Sequence, residues 1–361
     1  MKKITIIVES GYAFNNRFTK ITNGIISSCK ENGYSFSVLE LENIKPAKSN
    51  SQPIIVIGAS IAWTTSAVQI LSQNNYHPIV VGFNFPNFSC TFITQNHYLD
   101  AYVQTSTCLR KSEKSIAFIG LNPLSFCDRS KYAGFQDAIK HFSISISSEN
   151  VYPITTATQC VDSFLSKAMN YDTIFCVNDT IALILISKLS KPEKYNIISF
   201  GDLYIKRYCS CPFHSLSPNY YNMGRISVDI FSVLQNYPYV SNSTIYVESH
   251  LDASNNRLMP DILQQSVITD SLLFSDEERI LSDENSNTID LLSNTLEHCD
   301  ETDIRIIQCV CENMTFEQTA ESMYMSTNSV KRRFKKILTN SAIKNKKQFL
   351  ETVSRFKLDF A

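Results

Sequence analysis

Thr173-Ile-Phe-Cys-Val-Asn-Asp-Thr-Ile-Ala-Leu-Ile-Leu-Ile-Ser-Lys-Leu189 joins a short apolar run to a longer one. Thr173–Val177 has the length and composition of a buried strand, and Thr180–Leu189 those of a helix. The alternation continues in both directions. Upstream, Ile116–Ile119 predicts a strand and Tyr132–Lys140 lies in a helix. Further back, Ile4–Val8 predicts a strand, and Phe18–Glu31 an amphipathic helix ending at Gly33. Phe36–Leu39, Ile54–Ile57 and Ile79–Val81 are further apolar runs, with a helix through Ala67–Gln73 between the last two. Downstream come Ile197–Phe200 and a helix across Asn222–Leu234. Strands this short, alternating with helices, imply a mostly parallel sheet covered on both faces. The pattern restarts at Ile116, which predicts two such units, with ligands held beyond the carboxyl ends of the strands.

Composition sets the outer limits. A chain of 361 residues, 43% hydrophobic and 19% charged, is globular and long enough for two or three domains. No apolar run approaches the roughly 20 residues of a membrane span. The apolar run after Lys2-Lys3 meets Glu9 too soon for a signal peptide. Eleven cysteines without a CxxC framework suit a reducing cytosol, so a cytoplasmic protein is expected. Cys209-Ser-Cys211 and Cys309-Val-Cys311 lack zinc-ligand spacing, and no metal site is expected. His77, His97, His141, His214, His250 and His298 are scattered singly. No Walker loop, GxGxxG after a strand, HExxH or GxSxG elbow occurs, so neither an enzyme nor a cofactor is expected.

A net charge of −1 conceals a strong division. From Asp270 to Asp303 there are eleven acids against one base, a net of −10. From Ile304 to Ala361 there are eleven bases against five acids, a net of +6. The end suited to a polyanion is the C-terminal one.

Within that end, Met314–Leu338 predicts two short helices joined at Tyr324-Met-Ser326. The first runs from Phe316 to Met323, with the small Ala320 where a partner helix comes close. Ser326 is a suitable N-cap for the second. There Val330, Phe334, Ile337 and Leu338 form one buried stripe. Lys331, Arg332, Arg333, Lys335 and Lys336 occupy the rest of the cylinder. A docked helix with a cationic outer face suits the DNA major groove, whereas the blander alternative is a solvated surface helix. Ser326-Thr-Asn-Ser-Val-Lys331, followed by Phe334 and Ile337, resembles the LuxR-type DNA-binding domain, whose second motif helix opens Ser-x-x-Thr-Val-Lys. Ile306-Ile307 and Ala320 keep that family's spacing. Three departures stand out: Asn313 replaces a usual Gly, Arg305 a frequent acid, and Thr319 an Ile. The resemblance covers roughly the last sixty residues. It implies phosphate contacts by Lys331, Arg333, Lys335, Lys336 and the Lys344–Lys347 cluster. Thr327, Asn328, Ser329 and Arg332 would then read bases.

Phe175-Cys-Val-Asn-Asp-Thr-Ile-Ala182 resembles the Asn-Asp-x-x-Ala signature of LacI-type, periplasmic-binding-protein-like effector domains. Further landmarks follow in order. Asn23-Gly24 lies in the first helix, and Lys131-Tyr-Ala-Gly-Phe135 stands for Arg-x-x-Gly-Phe. Ile198-Ser-Phe-Gly-Asp202 stands for Gly-Phe-Asp-Asp, and Ser215–Arg225 for a crossing strand and final helix. Ile245–Glu248 stands for the last strand. The resemblance covers about residues 3–255 and implies two lobes hinged around a cleft that closes on a small-molecule effector. LacI-type repressors carry their DNA-binding module at the N terminus. Here it is expected to be replaced by one behind the lobes, as an AraC-type module is in xylose-responsive activators.

In sugar-binding members an Arg contacts the ligand from the position of Lys131, and acids do so from those of Gly201 and Gln95. Those exchanges remove bidentate recognition of hydroxyls, while Asn178 is retained. Arg129 and Asp202 would compensate if the register shifts by one or two. The ligand-binding candidates are Ser10, Tyr12, Phe14, Asn15, Ser60, Trp63, Arg129, Lys131, Asn178 and Asp202. The aromatics suit stacking on a flat ligand or a sugar ring, or else are ordinary lobe packing.

The expected architecture is α/β. A two-lobed periplasmic-binding-protein-like domain (1–255) with parallel sheets and helices on both faces leads into an acidic, partly helical linker (256–300). A small all-α helix-turn-helix domain (301–361) follows. In the linker a helix at Thr288–His298 presents Ile289, Leu292 and Leu296 on one face, either to a twin across a dimer or to solvent. The function expected is a sequence-specific transcription regulator, controlled by an effector and acting as a homodimer on double-stranded DNA. The alternative is a ligand-binding module whose basic end contacts a partner protein.

Overall fold

The computed structural model describes residues 3–9, 16–49, 51–58, 60–85, 88–109, 115–201, 203–240, 242–251 and 283–360. In chain order the first elements are β1 (Lys3–Val8), α1 (Asn16–Glu31), β2 (Ser35–Leu39), β3 (Gln52–Ile57), α2 (Ile61–Gln73), β4 (Tyr76–Val81) and β5 (Thr91–Thr94). Then come α3 (His97–Cys108), β6 (Ile116–Leu121), α4 (Phe126–His141), β7 (Val151–Pro153), α5 (Ala157–Leu165), β8 (Thr173–Cys176), α6 (Asp179–Lys188) and β9 (Asn196–Phe200). A 3-10 segment at Tyr204–Tyr208 precedes β10 (His214–Ser217), α7 (Tyr220–Asn236), β11 (Ser243–Tyr246) and β12 (His250–Leu251). Five C-terminal helices follow: α8 (Glu284–Glu297), α9 (Glu301–Cys311), α10 (Phe316–Ser322), α11 (Thr327–Asn340) and α12 (Lys346–Arg355).

The strands form two sheets. Lobe 1 has the order β11-β5-β4-β3-β1-β2, with its neighbours parallel. Lobe 2 has the order β12-β10-β9-β8-β6-β7, parallel except for β12. Both faces of the lobe 1 sheet are covered, which is why its strands read as unbroken apolar runs. Ile4, Ile6, Ile55 and Ile57 pack with Ile21, Met223 and Phe231 on one face. Ile7, Ile54 and Val56 pack with Ala67, Val68 and Leu71 on the other. Among the described residues the chain passes between lobes three times, from β5 to α3, from β10 to α7 and from β11 to β12.

Two helices begin earlier than their apolar periodicity suggests. Ser60 caps α2 by accepting from Trp63 N, and Ser125 caps α4 by accepting from Asp128 N. The strand β5 escapes the hydrophobic pattern because two of its four residues are the buried Thr91 and Thr94. The landmark glycines mark close helix approaches. A Cβ at Gly24 would overlap the carbonyl of Tyr221, one at Gly224 that of Ile21, and one at Gly134 that of Tyr98. The helix pairs α1–α7 and α3–α4 therefore pack backbone to backbone.

The helix α8 is not an exposed linker helix. Ile289, Leu292 and Leu296 of α8 are fully buried, in a core continuous with α6 of lobe 2 and with Ile307, Val330 and Phe334 of the later helices. The apolar face of α8 is thus covered within the chain, which corrects both expectations for it. The rest of the expected linker, 256–282, lies outside the described residues. Polar bonds fasten the same seam. Thr158 N donates to Asp283 Oδ2 at 2.7 Å and Ile205 N to Ser293 Oγ at 3.2 Å. Near the end of the chain, Leu358 forms an antiparallel bridge with Cys209, and the ring of Phe360 stacks on Tyr208 at 4.6 Å. Lobe 1 reaches this unit through an ion pair between Lys20 and Glu297 at 3.3 Å. Among the described residues no helix is long and apolar enough to cross a membrane.

Candidate functional site

Two regions gather the candidate residues, the strand ends of the lobes and the surface of α11. On α11 the buried stripe is Val330, Phe334 and Ile337, with Leu338 half-buried. Phe334 sits between Phe316, at 5.6 Å, and Phe349, at 5.4 Å. Ala320 is buried where α10 meets α11. Ser326 caps α11 by accepting from Ser329 N at 3.2 Å. The α9–α10 turn uses Asn313 at φ +64°, a left-handed conformation that Asn tolerates in place of Gly.

Asn328, Lys331, Arg332, Lys335 and Lys336 are exposed on α11, while Thr327 and Ser329 are half-buried. Two cations already have partners. Lys331 pairs with Glu317 at 3.1 Å, between two exposed side chains whose bond is easily exchanged. Arg333 turns toward α9, its Nη1 lying 2.9 Å from Asp300 and 2.8 Å from Asp303. The Arg333 guanidinium holds the Asp300 carboxyl below its ordinary pKa. Lys346, within the lysine cluster, donates to Met314 O at 2.7 Å, leaving Lys344 and Lys347 exposed.

At the lobes, Ser10, Tyr12, Phe14, Asn15 and Asp202 lie outside the described residues. Ser60 and Trp63 belong to lobe 1. Ser60 is buried, and its Oγ donates to Glu9 at 2.9 Å. Arg129, Lys131 and Asn178 stand beyond the strand ends of lobe 2. Asn178 Oδ1 caps α6 by accepting from Ile181 N at 3.0 Å. Lys131 Nζ donates to Val177 O at 3.0 Å, lies 3.7 Å from Asp128 and faces the Phe200 ring at 5.7 Å. Arg129 donates through Nη1 to Pro123 O at 3.0 Å, and its buried Nε has no partner among the described residues.

Three further groups here, Asp179, His97 and Asp128, are not among the sequence-derived binding candidates, though Asp179 lies within the Asn-Asp-x-x-Ala signature. Asp179 is buried and accepts from Ser199 Oγ at 2.8 Å, Ser215 Oγ at 2.6 Å and Leu203 N at 3.2 Å. A Cβ at Gly201 would come within 2.7 Å of that carboxylate, so no side chain fits at 201. His97, at the crossover into lobe 2, has Nδ1 2.8 Å from the side-chain amide of Gln95, and its enclosed Nε2 has no hydrogen-bond partner among the described residues. Burial first, and then the charge of Lys131, bring the His97 pKa down to about 3. Burial pushes the Asp128 carboxyl up, against the opposing pull of Lys131.

No family model matches the chain. The repressor PurR of Haemophilus influenzae (strain PittEE) is 24% identical over 247 residues, covering 63% of this chain and 72% of that protein. PurR of Pasteurella multocida (strain Pm70) is 22% identical over 246 residues, with 63% and 73% covered. A solved LacI regulator from Bacillus cereus subsp. cytotoxis superposes with a TM-score of 0.55 at 19% identity, over 70% of this chain and 96% of that one. The two lobes have the periplasmic-binding-protein-like fold of LacI-type regulators. A LacI family regulator from Enterococcus faecium, solved with bound ribose, agrees with a TM-score of 0.54 at 16% identity, over 73% and 100% of the two chains. In the two lobes of this chain, the positions beyond the strand ends hold Lys131, Asn178 and Gly201 in the geometry just described.

Proposed function

We propose that the chain is a DNA-binding transcription regulator controlled by a small-molecule effector between its LacI-type lobes. Its C-terminal helices act as a LuxR-type helix-turn-helix. One observation carries the DNA half of this reading: α11 buries Val330, Phe334 and Ile337 while presenting Asn328, Lys331, Arg332, Lys335 and Lys336 outward. A docked helix with such a face supplies phosphate contacts along its length and base contacts near its start. Thr327, Asn328, Ser329 and Arg332 take the base-reading role. Lys331, Lys335, Lys336, Lys344 and Lys347 take the phosphate role, and Arg333 serves to fix α11 against α9. Two copies acting on a palindromic site in the cytoplasm follow from the same reading.

The core shared by lobe 2 and the C-terminal helices supports a direct mode of control. Closing the lobes on an effector moves lobe 2, and with it α11, as one body against lobe 1. In the cleft, the missing side chain at Gly201 and the occupied ammonium of Lys131 argue against recognition of sugar hydroxyls by a carboxylate from the first position and a guanidinium from the second. Arg129 Nε, a donor without a partner among the described residues, suits an effector that offers an acceptor.

The deciding experiment is titration of the full chain against labelled duplex DNA over a range of salt. Affinity that falls steeply, on the order of one logarithmic unit per unit of log salt for each phosphate contact, is expected. Absence of affinity near physiological salt would favour a protein partner instead. A thermal-shift screen of sugars, sugar phosphates and nucleosides on the same chain addresses the effector, because a ligand of the folded lobes raises the melting point.

A further inference from the structure

Tyr324 follows α10 in a left-handed conformation, φ +52°, and its side chain is 98% exposed. The backbone there is fixed, with Tyr324 N donating to Glu321 O at 3.2 Å and Met325 N to Ala320 O at 2.8 Å. A bulky residue at positive φ is disfavoured relative to glycine, and a ring left wholly in water adds no packing. The fold therefore gains neither conformational preference nor burial from this side chain. The other left-handed helix ends of the unit differ. Asn313 tolerates the conformation, Ala342 has little side chain to present, and Lys357 Nζ reaches the carbonyl of Leu189.

The position of Tyr324 supplies what its exposure alone does not. It stands two residues before Ser326, the cap of α11, on the approach to the exposed Asn328 and Lys331. In a helix-turn-helix the start of the second helix meets the base edges, so the turn before it borders the flanking sugar-phosphate backbone. We infer, resting on the DNA-binding reading above, that Tyr324 is a positioning contact to the DNA backbone. Its hydroxyl donates to a phosphate oxygen beside the bases that α11 addresses. Such a bond is neutral on the protein side. It adds affinity without releasing a counterion, unlike a lysine at the same surface.

The test uses the full chain with Tyr324→Gly, Tyr324→Phe and Lys335→Ala, binding to a labelled mixed-sequence duplex over a range of salt, alongside thermal melting. Tyr324→Gly is expected to melt above the parent, because the backbone cost is relieved, and yet to bind about fivefold more weakly. Tyr324→Phe is expected to lose roughly threefold through the hydroxyl alone. Both keep the parent's salt slope, whereas Lys335→Ala lowers it by about one. Parent-like affinity in both tyrosine variants, with Lys335→Ala weakened, overturns the inference and leaves the DNA reading standing. If the parent itself binds no duplex, both fall.

Discussion

Arg333 on α11 reaches across to Asp303 on α9, with Nη1 and Oδ1 2.8 Å apart, and the same Nη1 lies 2.9 Å from Asp300. Those two acids also form the capping box of α9. One guanidinium thus joins the start of α9 to the middle of α11 and fixes the angle at which α11 is presented. Arg333→Ala is expected to destabilise the C-terminal helices by roughly 1 kcal/mol, given a partly exposed pair with good geometry. A double-mutant cycle with Asp303→Ala checks it, and strict additivity would show that the pair contributes nothing.

Leu292 lies fully buried on α8, in the core common to lobe 2 and the terminal helices. Leu292→Ala is expected to cost about 2–5 kcal/mol, as for other enclosed leucines. The sole tryptophan, Trp63, lies in lobe 1 and gives a local probe. Denaturant unfolding followed by far-ultraviolet circular dichroism should move to lower denaturant, while the Trp63 emission transition moves less. Equal shifts in both signals would mean that the lobes unfold as one unit.

What could be read in the sequence beforehand depended on how local its cause was. The α11 stripe was legible because Val330, Phe334 and Ile337 recur at helical spacing and docking needs only that. Gly24, Gly134 and Gly224 fell within the LacI-type landmarks, though their reason, a facing backbone, appears only in the packing. The stripe on α8 left a dimer partner and solvent as alternatives and gave no sign of its actual cover, since α6 lies about a hundred residues upstream. Arg333 looked like one more outward cation because Asp300 and Asp303 are distant in sequence. Asp179 gave no sign of accepting three bonds, for its partners come from β9, β10 and the segment after Gly201.

The close crossing of α3 and α4 gives a sharp test of packing. A methyl at position 134 would overlap the carbonyl of Tyr98, which is backbone and cannot turn aside. Gly134→Ala should therefore destabilise by about 1–3 kcal/mol despite the better helix propensity of alanine. The measurement is the denaturation midpoint, and an unchanged or raised value would show that the helices separate freely.

His97 predicts a pH response of defined sign. Its pKa is near 3 in the folded chain and near its ordinary 6.5 when unfolded. As pH falls below 6.5, the unfolded chain takes up a proton that the folded one refuses. Folding stability should then drop, by at most about 1.4 kcal/mol per pH unit from this group, until the folded pKa is reached. His97→Asn removes this contribution, so its urea stability should fall less than the parent's between pH 7 and pH 5. Parallel declines in the two proteins would place the His97 ring in water.

The exposed face of α11 divides by position. Arg332 stands one helical turn after Asn328, near the start of α11, which on the proposed DNA-binding reading is the part that meets base edges. Lys336 lies a further turn along, which the same reading sets against phosphate. Arg332→Ala should relax sequence preference, costing about 1–3 kcal/mol on a preferred site and little on others. Lys336→Ala should weaken binding on every sequence alike and lower the salt slope by about one. The check is competition between a selected site and scrambled duplex at several salt concentrations. Equal losses on both duplexes from both variants would mean that α11 lies along the backbone without entering the groove, and Asn328 and Arg332 would then lose their assigned role.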